Sequence, residues 1–171
     1  MPAFRKVHTF WGKGTSIPGQ RDPFWAGRSF TLEADLELAR DKASGAVLAV
    51  GSHFGGFSLF LDHGRPGFAY AGSTNPAETA RVVADATLPA GSNRLSLRFD
   101  HGGIGKGGKA SILANGQPVA SVMVPRTIIS PAGLGETTDV GRDIGVTVTD
   151  YASHRGELEG EVPKLVITFD C

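Results

Sequence analysis

Alternation of apolar and polar positions is the dominant pattern of this chain. From residue 29 to 38 every even position is apolar and every odd position is polar, which predicts a strand with one face on a core and the other in water. Residues 93–100 alternate in the same way. Further strands are predicted at residues 46–51, 56–62, 66–71, 81–86, 109–114, 117–124, 157–162 and 165–169. No segment favours a helix.

Turn signals separate these strands. Asn115-Gly116 is the strongest hairpin signal, because both residue types tolerate a positive φ, and residues 62–65 form a second turn. Short strands at a spacing of roughly 8–12 residues are typical of a β-sandwich or a β-barrel. The first 27 residues predict an irregular arm that packs across a domain of residues 28–171. Its expected anchors are Trp11, Phe24 and Trp25.

Composition narrows the class of protein. The 171 residues include 24 Gly and 10 Pro, which is too turn-rich for a helix bundle. Lys and Arg balance Asp and Glu at 17 each, so the net charge indicates neither a nucleic acid nor an acidic membrane as a partner. No apolar run approaches the ~18–20 residues of a membrane span. Without a secretory signal or a pair of cysteines (Cys171 is the single one), we expect a cytoplasmic protein.

Several glycine-rich stretches carry a family resemblance through their order and spacing. They are residues 45–51, 54–59, 102–108, Asn115-Gly116, residues 139–145, Asp150-Tyr151 and residues 158–162. Together they resemble the C-terminal jelly-roll domain of the large bacterial arylsulfatases. The resemblance covers roughly residues 28–169. It implies an all-β, concanavalin A-like jelly roll, which is a sandwich of two antiparallel sheets.

The catalytic signature of sulfatases has no counterpart here. That family carries a Cys-x-Pro-x-Arg motif, and the one cysteine of this chain is its last residue. The resemblance therefore implies a non-catalytic accessory module, without a required cofactor, that contacts a glycan, a sulfated ligand or a partner chain. The alternative is a structural domain that packs on a sulfatase catalytic domain or forms a homo-oligomer.

Glu33, Asp35 and Glu37 suggest a third function, that of a glycosidase. On a strand, residues i, i+2 and i+4 share a face, and retaining glycosidases use two carboxyl groups about 5–5.5 Å apart. The run resembles that of laminarinase-type glucanases, which would make Glu33 the nucleophile, Asp35 its helper and Glu37 the acid/base. We favour the simpler interpretation of three water-facing residues, because the flanking Trp/Gly signature is missing and Tyr and Trp together number only four.

Four residues are candidates for ligand binding. Lys106 and Lys109 lie in a glycine-rich segment that imitates a phosphate-binding loop, but Ala110 stands where that motif needs a hydroxyl. We therefore predict contact with an anionic group, such as a sulfated sugar, rather than with a nucleotide. Arg142 and Tyr151 are the other two candidates.

Asp139, Asp143 and Asp150 fall in one irregular stretch, residues 138–151. Calcium takes six to eight oxygen ligands, often from loop carboxylates and carbonyls, so a calcium ion is a possible cofactor here. The alternative is that these aspartates bond to nearby backbone in turns.

Overall fold

Strands alone build the two layers of the computed structural model, which describes residues 6–14, 16–18, 28–103, 106–127, 137–143, 147–153 and 156–170. All strand pairs are antiparallel. The first sheet has the order β1 (Val7–Phe10), β12 (Gly160–Phe169), β3 (Phe30–Leu38), β8 (Gly91–His101), β9 (Gly108–Ala114), β10 (Gln117–Val124). The second sheet has the order β2 (Ser16–Pro18), β11 (Thr137–Val140), β4 (Gly45–Ser52), β5 (Gly55–Asp62), β6 (Arg65–Ala71), β7 (Thr79–Val83).

The architecture confirms the all-β, two-sheet jelly roll. Within the described ranges, helical structure is limited to 3-10 geometry, as at Pro76–Glu78. None of these residues forms a helix of the length and apolarity needed to cross a bilayer. The Asn115-Gly116 hairpin is also confirmed, with φ values of 50° and 83°; it joins β9 to β10.

The N-terminal arm is more regular than its composition suggests. β1 pairs with β12 and β2 pairs with β11, so each sheet gains an edge strand from the arm. Trp11 is not an anchor, because 70% of it is exposed; the buried residue at this point is its neighbour Phe10. The other two expected anchors, Phe24 and Trp25, lie outside the described residues, as does Cys171.

Three strand predictions need correction. The strands expected at residues 157–162 and 165–169 are one strand, β12, with an irregularity between Glu161 and Lys164 where it pairs with β3. The strand expected at residues 81–86 is β7, which begins and ends earlier. β11 falls in the stretch expected to be irregular chain; its edge pairing with β4 and β2 makes it a strand.

The main core lies between the two sheets. Along β3 and β8 the buried residues alternate with accessible ones, because only the inner face of the first sheet meets the second. At the centre, the ring of Phe99 from β8 stacks on Phe30 from β3 and on Tyr70 from β6, with centroids 5.5 and 5.6 Å apart. This aromatic contact joins the two layers.

Two central strands of the second sheet, β4 and β5, are buried on both faces. Every residue of β4, and all but the last of β5, is buried, which a sheet with one wet face would not show. On its outer face Phe60 and Ala69 pack against Val148, with Tyr151 partly buried beside them. The segment 147–151 therefore covers part of this face, and its position shapes the candidate site.

Candidate functional site

The three carboxylates of β3 do share one face, as the alternation predicts. The face is the outer side of the first sheet, and cross-strand partners hold two of the three groups there. Oδ1 of Asp35 lies 3.1 Å from Nη2 of Arg94, and Glu37 accepts a hydrogen bond from the hydroxyl of Ser92. These structural contacts favour the interpretation of Glu33, Asp35 and Glu37 as water-facing residues.

The structure distributes the four predicted ligand-binding residues over separate segments. Lys106 follows β8 and Lys109 lies on the outer side of β9, both exposed. Arg142 follows β11, and its Nη2 donates to the carbonyl of Gly14 at 2.7 Å. Tyr151 packs on the outer face of the second sheet. Lys109 and Tyr151 are thus on opposite sides of the sandwich, and the four residues do not form a single site.

The described residues of the glycine-rich segment after β8 form backbone hydrogen bonds within the segment. The amide of Gly102 donates to the carbonyl of Gly107, and the amide of Lys106 donates to the carbonyl of Gly103. The Lys106 carbonyl accepts from both the amide and the hydroxyl of Thr127, at 2.8 and 2.7 Å. Because a phosphate loop needs free amides, these bonds argue against nucleotide binding. An anion contact by Lys106 and Lys109 stays a prediction.

His101 makes this segment sensitive to acid. Its Nδ1 accepts a hydrogen bond from the amide of Gly103 at 2.9 Å, and burial lowers the pKa of His101 below its usual 6.5. The unfolded chain therefore binds this proton more readily than the folded one. The stability that neutral His101 contributes to the fold is complete above pH 6.5. It declines as the pH falls from 6.5 towards the lowered pKa of the folded protein.

We expect His101→Asn to reduce the loss of melting temperature between pH 7.5 and pH 5.5. Asn keeps an acceptor for the amide of Gly103 but has no group that titrates in this range. The measurement is thermal unfolding at both pH values, with His63→Asn as control, since His63 is exposed and its positive φ suits Asn. Equal pH sensitivity of the wild type and His101→Asn would contradict the assignment.

The predicted calcium ligands lie in different environments. Asp139 is buried on β11, and Asp143 is buried just after it. Oδ2 of Asp143 accepts from the amide of Val148 at 2.9 Å and from the hydroxyl of Tyr151 at 2.5 Å, whereas Asp150 is exposed. No group of three or more His, Cys, Asp or Glu is placed to hold a metal ion in the part of the chain that the structure describes. Calcium binding stays a prediction.

Tyr151 fixes the segment 147–151 to the second sheet. Its hydroxyl hydrogen-bonds with Ser58 of β5 at 2.8 Å as well as with Asp143, and its ring meets Phe60 edge-on, with centroids 5.9 Å apart. Burial, together with the charge of Asp143, strongly raises the pKa of Tyr151. The hydroxyl therefore remains protonated, and its hydrogen bonds connect the segment to the second sheet.

This fixed segment forms one wall of a groove of about 490 Å³ on the outer side of the second sheet. The opposite wall comes from β6, β7 and the chain between them. The polar residues that line the groove are His53, Ser73, Thr74, Thr79, Arg81, Thr147, Thr149 and Asp150. Its volume is within the range of small-molecule sites, which is about 300–1,000 Å³. We call it the Arg81 groove.

Arg81 is the distinctive group of this groove. It is exposed on β7, and its guanidinium carbon lies 5.0 Å from the centroid of the Phe60 ring. Such a cation–π contact orients a guanidinium while leaving its N–H groups available. Among the described residues no carboxylate forms an ion pair with Arg81. The groove thus offers a positioned cation beside hydroxyl groups.

A second groove, of about 770 Å³, lies at one end of the first sheet. Its cationic side chains are already paired with other groups of the protein. Nζ of Lys13 donates to the carbonyls of Leu158 and Gly160, at 2.8 and 3.1 Å. Arg40 makes two hydrogen bonds to Glu159, which lower the pKa of that carboxyl group. With its cations engaged in this way, the second groove is the weaker candidate.

No protein-family model matches the sequence, and no curated protein matches it. Similar solved structures exist at low identity. The CBM40 module of Ruminococcus gnavus IT-sialidase, solved with α2,3-sialyllactose, has a TM-score of 0.68 at 16% identity, over 94% of this chain and 90% of that one. The leech intramolecular trans-sialidase gives 0.63 at 12% identity, over 96% of this chain and 25% of that one.

Mouse laminin α1 domains LG4-5 give a TM-score of 0.56 at 18% identity, over 99% of this chain and 43% of that one. At these identities the likeness shows a shared fold, the lectin-like jelly roll. These neighbours do not support the relation to arylsulfatases.

Proposed function

We propose that this chain is a non-catalytic carbohydrate-binding module and that the Arg81 groove receives the glycan. The observation that carries the proposal is the positioned guanidinium of Arg81 in a polar groove on the outer face of the second sheet. Carbohydrates need many hydrogen-bonding groups and an apolar surface, and the groove combines hydroxyl side chains with Ala69, Ala71 and Val148. The likeness in fold to the CBM40 module, solved with sialyllactose, supports this function.

An acidic glycan fits the groove best. A guanidinium binds carboxylates and sulfates through paired N–H donors, so the acidic group of the sugar would face Arg81. Thr147 and Thr149 can hydrogen-bond with sugar hydroxyls, while Asp150 can accept from them. We therefore propose sialylated or sulfated glycans as the ligand class.

The composition of the groove favours binding over hydrolysis. Glycosidases place two carboxyl groups on either side of the scissile bond. Asp150 is the one carboxylate among the lining residues that the structure describes, and the carboxylates of β3 lie on the other side of the sandwich. The groove therefore has the groups to hold a sugar but lacks the acidic pair for cleavage.

The surface also favours binding over a purely structural role. A packing domain is expected to expose a contiguous apolar patch. The large apolar side chains that are exposed in the described ranges are Val7, Trp11, Phe54 and Met123. Phe54 lies between β4 and β5, and Met123 lies on β10 of the other sheet. Val7 and Trp11 lie at β1 and directly after it, and neither Phe54 nor Met123 adjoins them. The exposed apolar residues are therefore scattered.

The test is a glycan array with sialylated, sulfated and neutral glycans, followed by calorimetric titration of the best ligand. We expect Arg81→Ala to weaken binding of an acidic glycan by about 10- to 100-fold, the range for losing a hydrogen bond to a charged group. Arg81→Lys keeps the charge but loses the paired donors, so an intermediate loss is expected.

Arg65→Ala is the matched control, since Arg65 begins the neighbouring strand β6 and does not line the groove. It should bind like the wild type. Absence of any glycan binding on the array would contradict the proposed function. Full binding by Arg81→Ala would contradict the proposed site.

A further inference from the structure

The outer face of the first sheet carries a row of side chains that the Arg81 groove does not use. On β1, Phe10 lies opposite Leu165 of β12 and both point into the core. The next residue, Trp11, therefore projects outward beside Lys164. Lys164 lies opposite Asp35, and Asp35 lies opposite Arg94. These four residues form what we call the Trp11 row, which runs from the end of β1 across β12, β3 and β8.

Trp11 gives the row an aromatic platform. The side chain is 70% exposed, although the neighbouring Phe10 is buried. Nζ of Lys164 lies 5.1 Å from the centroid of the indole ring, a cation–π contact that restrains the ring. An exposed but restrained indole is suited to stack on the apolar face of a sugar ring, because such a large rigid surface loses little conformational entropy on binding.

The row and its surroundings carry charges of both signs. Asp35 accepts a hydrogen bond from Nε of Arg94 and lies 3.1 Å from its Nη2. Glu33 and Glu37, the outward residues of β3 on either side of Asp35, add two carboxylates beside them. Two cations, Lys164 and Arg94, and three carboxylates offer donors and acceptors without an excess of positive charge. Because positive charge is not in excess here, the row fits a neutral, hydroxyl-rich ligand better than an acidic one, in contrast to the Arg81 groove.

The length of the row suits a chain of sugars. Neighbouring strands lie about 4.8 Å apart, so four strands place Trp11 and Arg94 roughly 14 Å from each other across the sheet. A linear oligosaccharide lying across the strands can stack on the indole at one end and reach the Asp35–Arg94 pair at the other.

We propose that the Trp11 row is a second glycan-binding surface, which takes a neutral linear oligosaccharide on the side of the sandwich opposite the Arg81 groove. The proposal rests on different residues from the proposed function and is tested separately. The module would then hold two glycans of different charge at once.

The test is calorimetric titration with four neutral hexasaccharides: cellohexaose, laminarihexaose, xylohexaose and mannohexaose. We expect at least one to bind with a Kd below about 1 mM and Trp11→Ala to weaken that binding about tenfold or more. Arg94→Ala should weaken it as well, because Arg94 forms the far end of the row. Trp11→Ala should melt like the wild type, since the side chain is exposed.

Two control variants distinguish the Trp11 row from the rest of the protein surface. Met123→Ala removes an exposed apolar side chain of the same sheet and should bind the hexasaccharide normally. Arg81→Ala should also bind it normally while losing acidic glycans. Binding of none of the four hexasaccharides at millimolar concentration would overturn the proposal. So would full binding by Trp11→Ala, or a loss of hexasaccharide binding in Arg81→Ala, which would assign neutral glycans to the groove.

Discussion

Replacing Phe99 with alanine is expected to lower the free energy of unfolding by about 3–5 kcal/mol. Phe99 is 2% exposed, and its ring stacks on Phe30 of its own sheet and on Tyr70 of the facing sheet, with interplanar angles of 19° and 8°. The cavity left by alanine would open where the two layers meet, and the strands on either side are too well paired to collapse into it.

Urea unfolding measures this effect directly, and the melting temperature should fall by roughly 6–20 °C for a chain of this size. Phe54→Ala is the matched control, because Phe54 is exposed in the turn between β4 and β5. This replacement should change the free energy of unfolding very little. Unfolding of Phe99→Ala at the urea concentration of the wild type would show that the aromatic contact does not join the layers.

Sequence periodicity predicted the first sheet well because that sheet has one buried face. Along β3 and β8 the polar positions are the accessible ones, so the local pattern carries the structural information. The second sheet is different, since β4 and β5 are covered on both sides. Over β5, the cover includes Val148 and Tyr151, whose segment has no periodicity, and nothing local indicates where it packs.

The short edge strands could not be predicted for a related reason. β1 and β11 have four residues each, which is barely two periods of alternation. Their pairing partners are also distant in sequence: Val7 of β1 lies opposite Thr168 of β12. Only the pairing makes these segments strands, and a local pattern does not contain it.

The same limit applies to the candidate site. The alternation placed Glu33, Asp35 and Glu37 on one face correctly, but Arg94 and Ser92, which engage two of them, come from β8. Arg81 was missed because a single arginine in a short strand has no motif. Arg81 is a candidate because folding places it over the ring of Phe60 on β5 and in a groove whose other wall is residues 147–150. A local sequence pattern does not contain these contacts.

The resemblance to arylsulfatases is explained by the sterics of the sandwich. Gly45, which begins one of the glycine-rich stretches, has a φ of 128°, and a Cβ there would lie 2.4 Å from the carbonyl oxygen of Glu157. A close approach of two backbones requires glycine in any protein. The spacing of such glycines therefore indicated the jelly roll, which is confirmed, and carried no information about a sulfatase relation, which the structural neighbours do not support.

Removing the carboxylate of Asp143 by alanine is expected to lower the free energy of unfolding by about 2–4 kcal/mol and to weaken glycan binding in the Arg81 groove. Asp143 is 4% exposed and accepts from the amide of Val148 and the hydroxyl of Tyr151. Without it, the buried amide loses this acceptor, and the hydroxyl keeps only its bond to Ser58. The segment that forms one wall of the groove would then be less firmly held.

Urea unfolding and titration with the acidic glycan, performed on the same preparations, test both effects. Asp143→Asn keeps an acceptor oxygen in the same place, so it should retain more stability and more binding than Asp143→Ala. Arg81→Ala provides the complementary case, because it should lose binding while melting like the wild type. If Asp143→Ala kept full glycan affinity despite its lower stability, the wall at residues 147–150 would not belong to the binding site, and the glycan would have to be held by β6 and β7 alone.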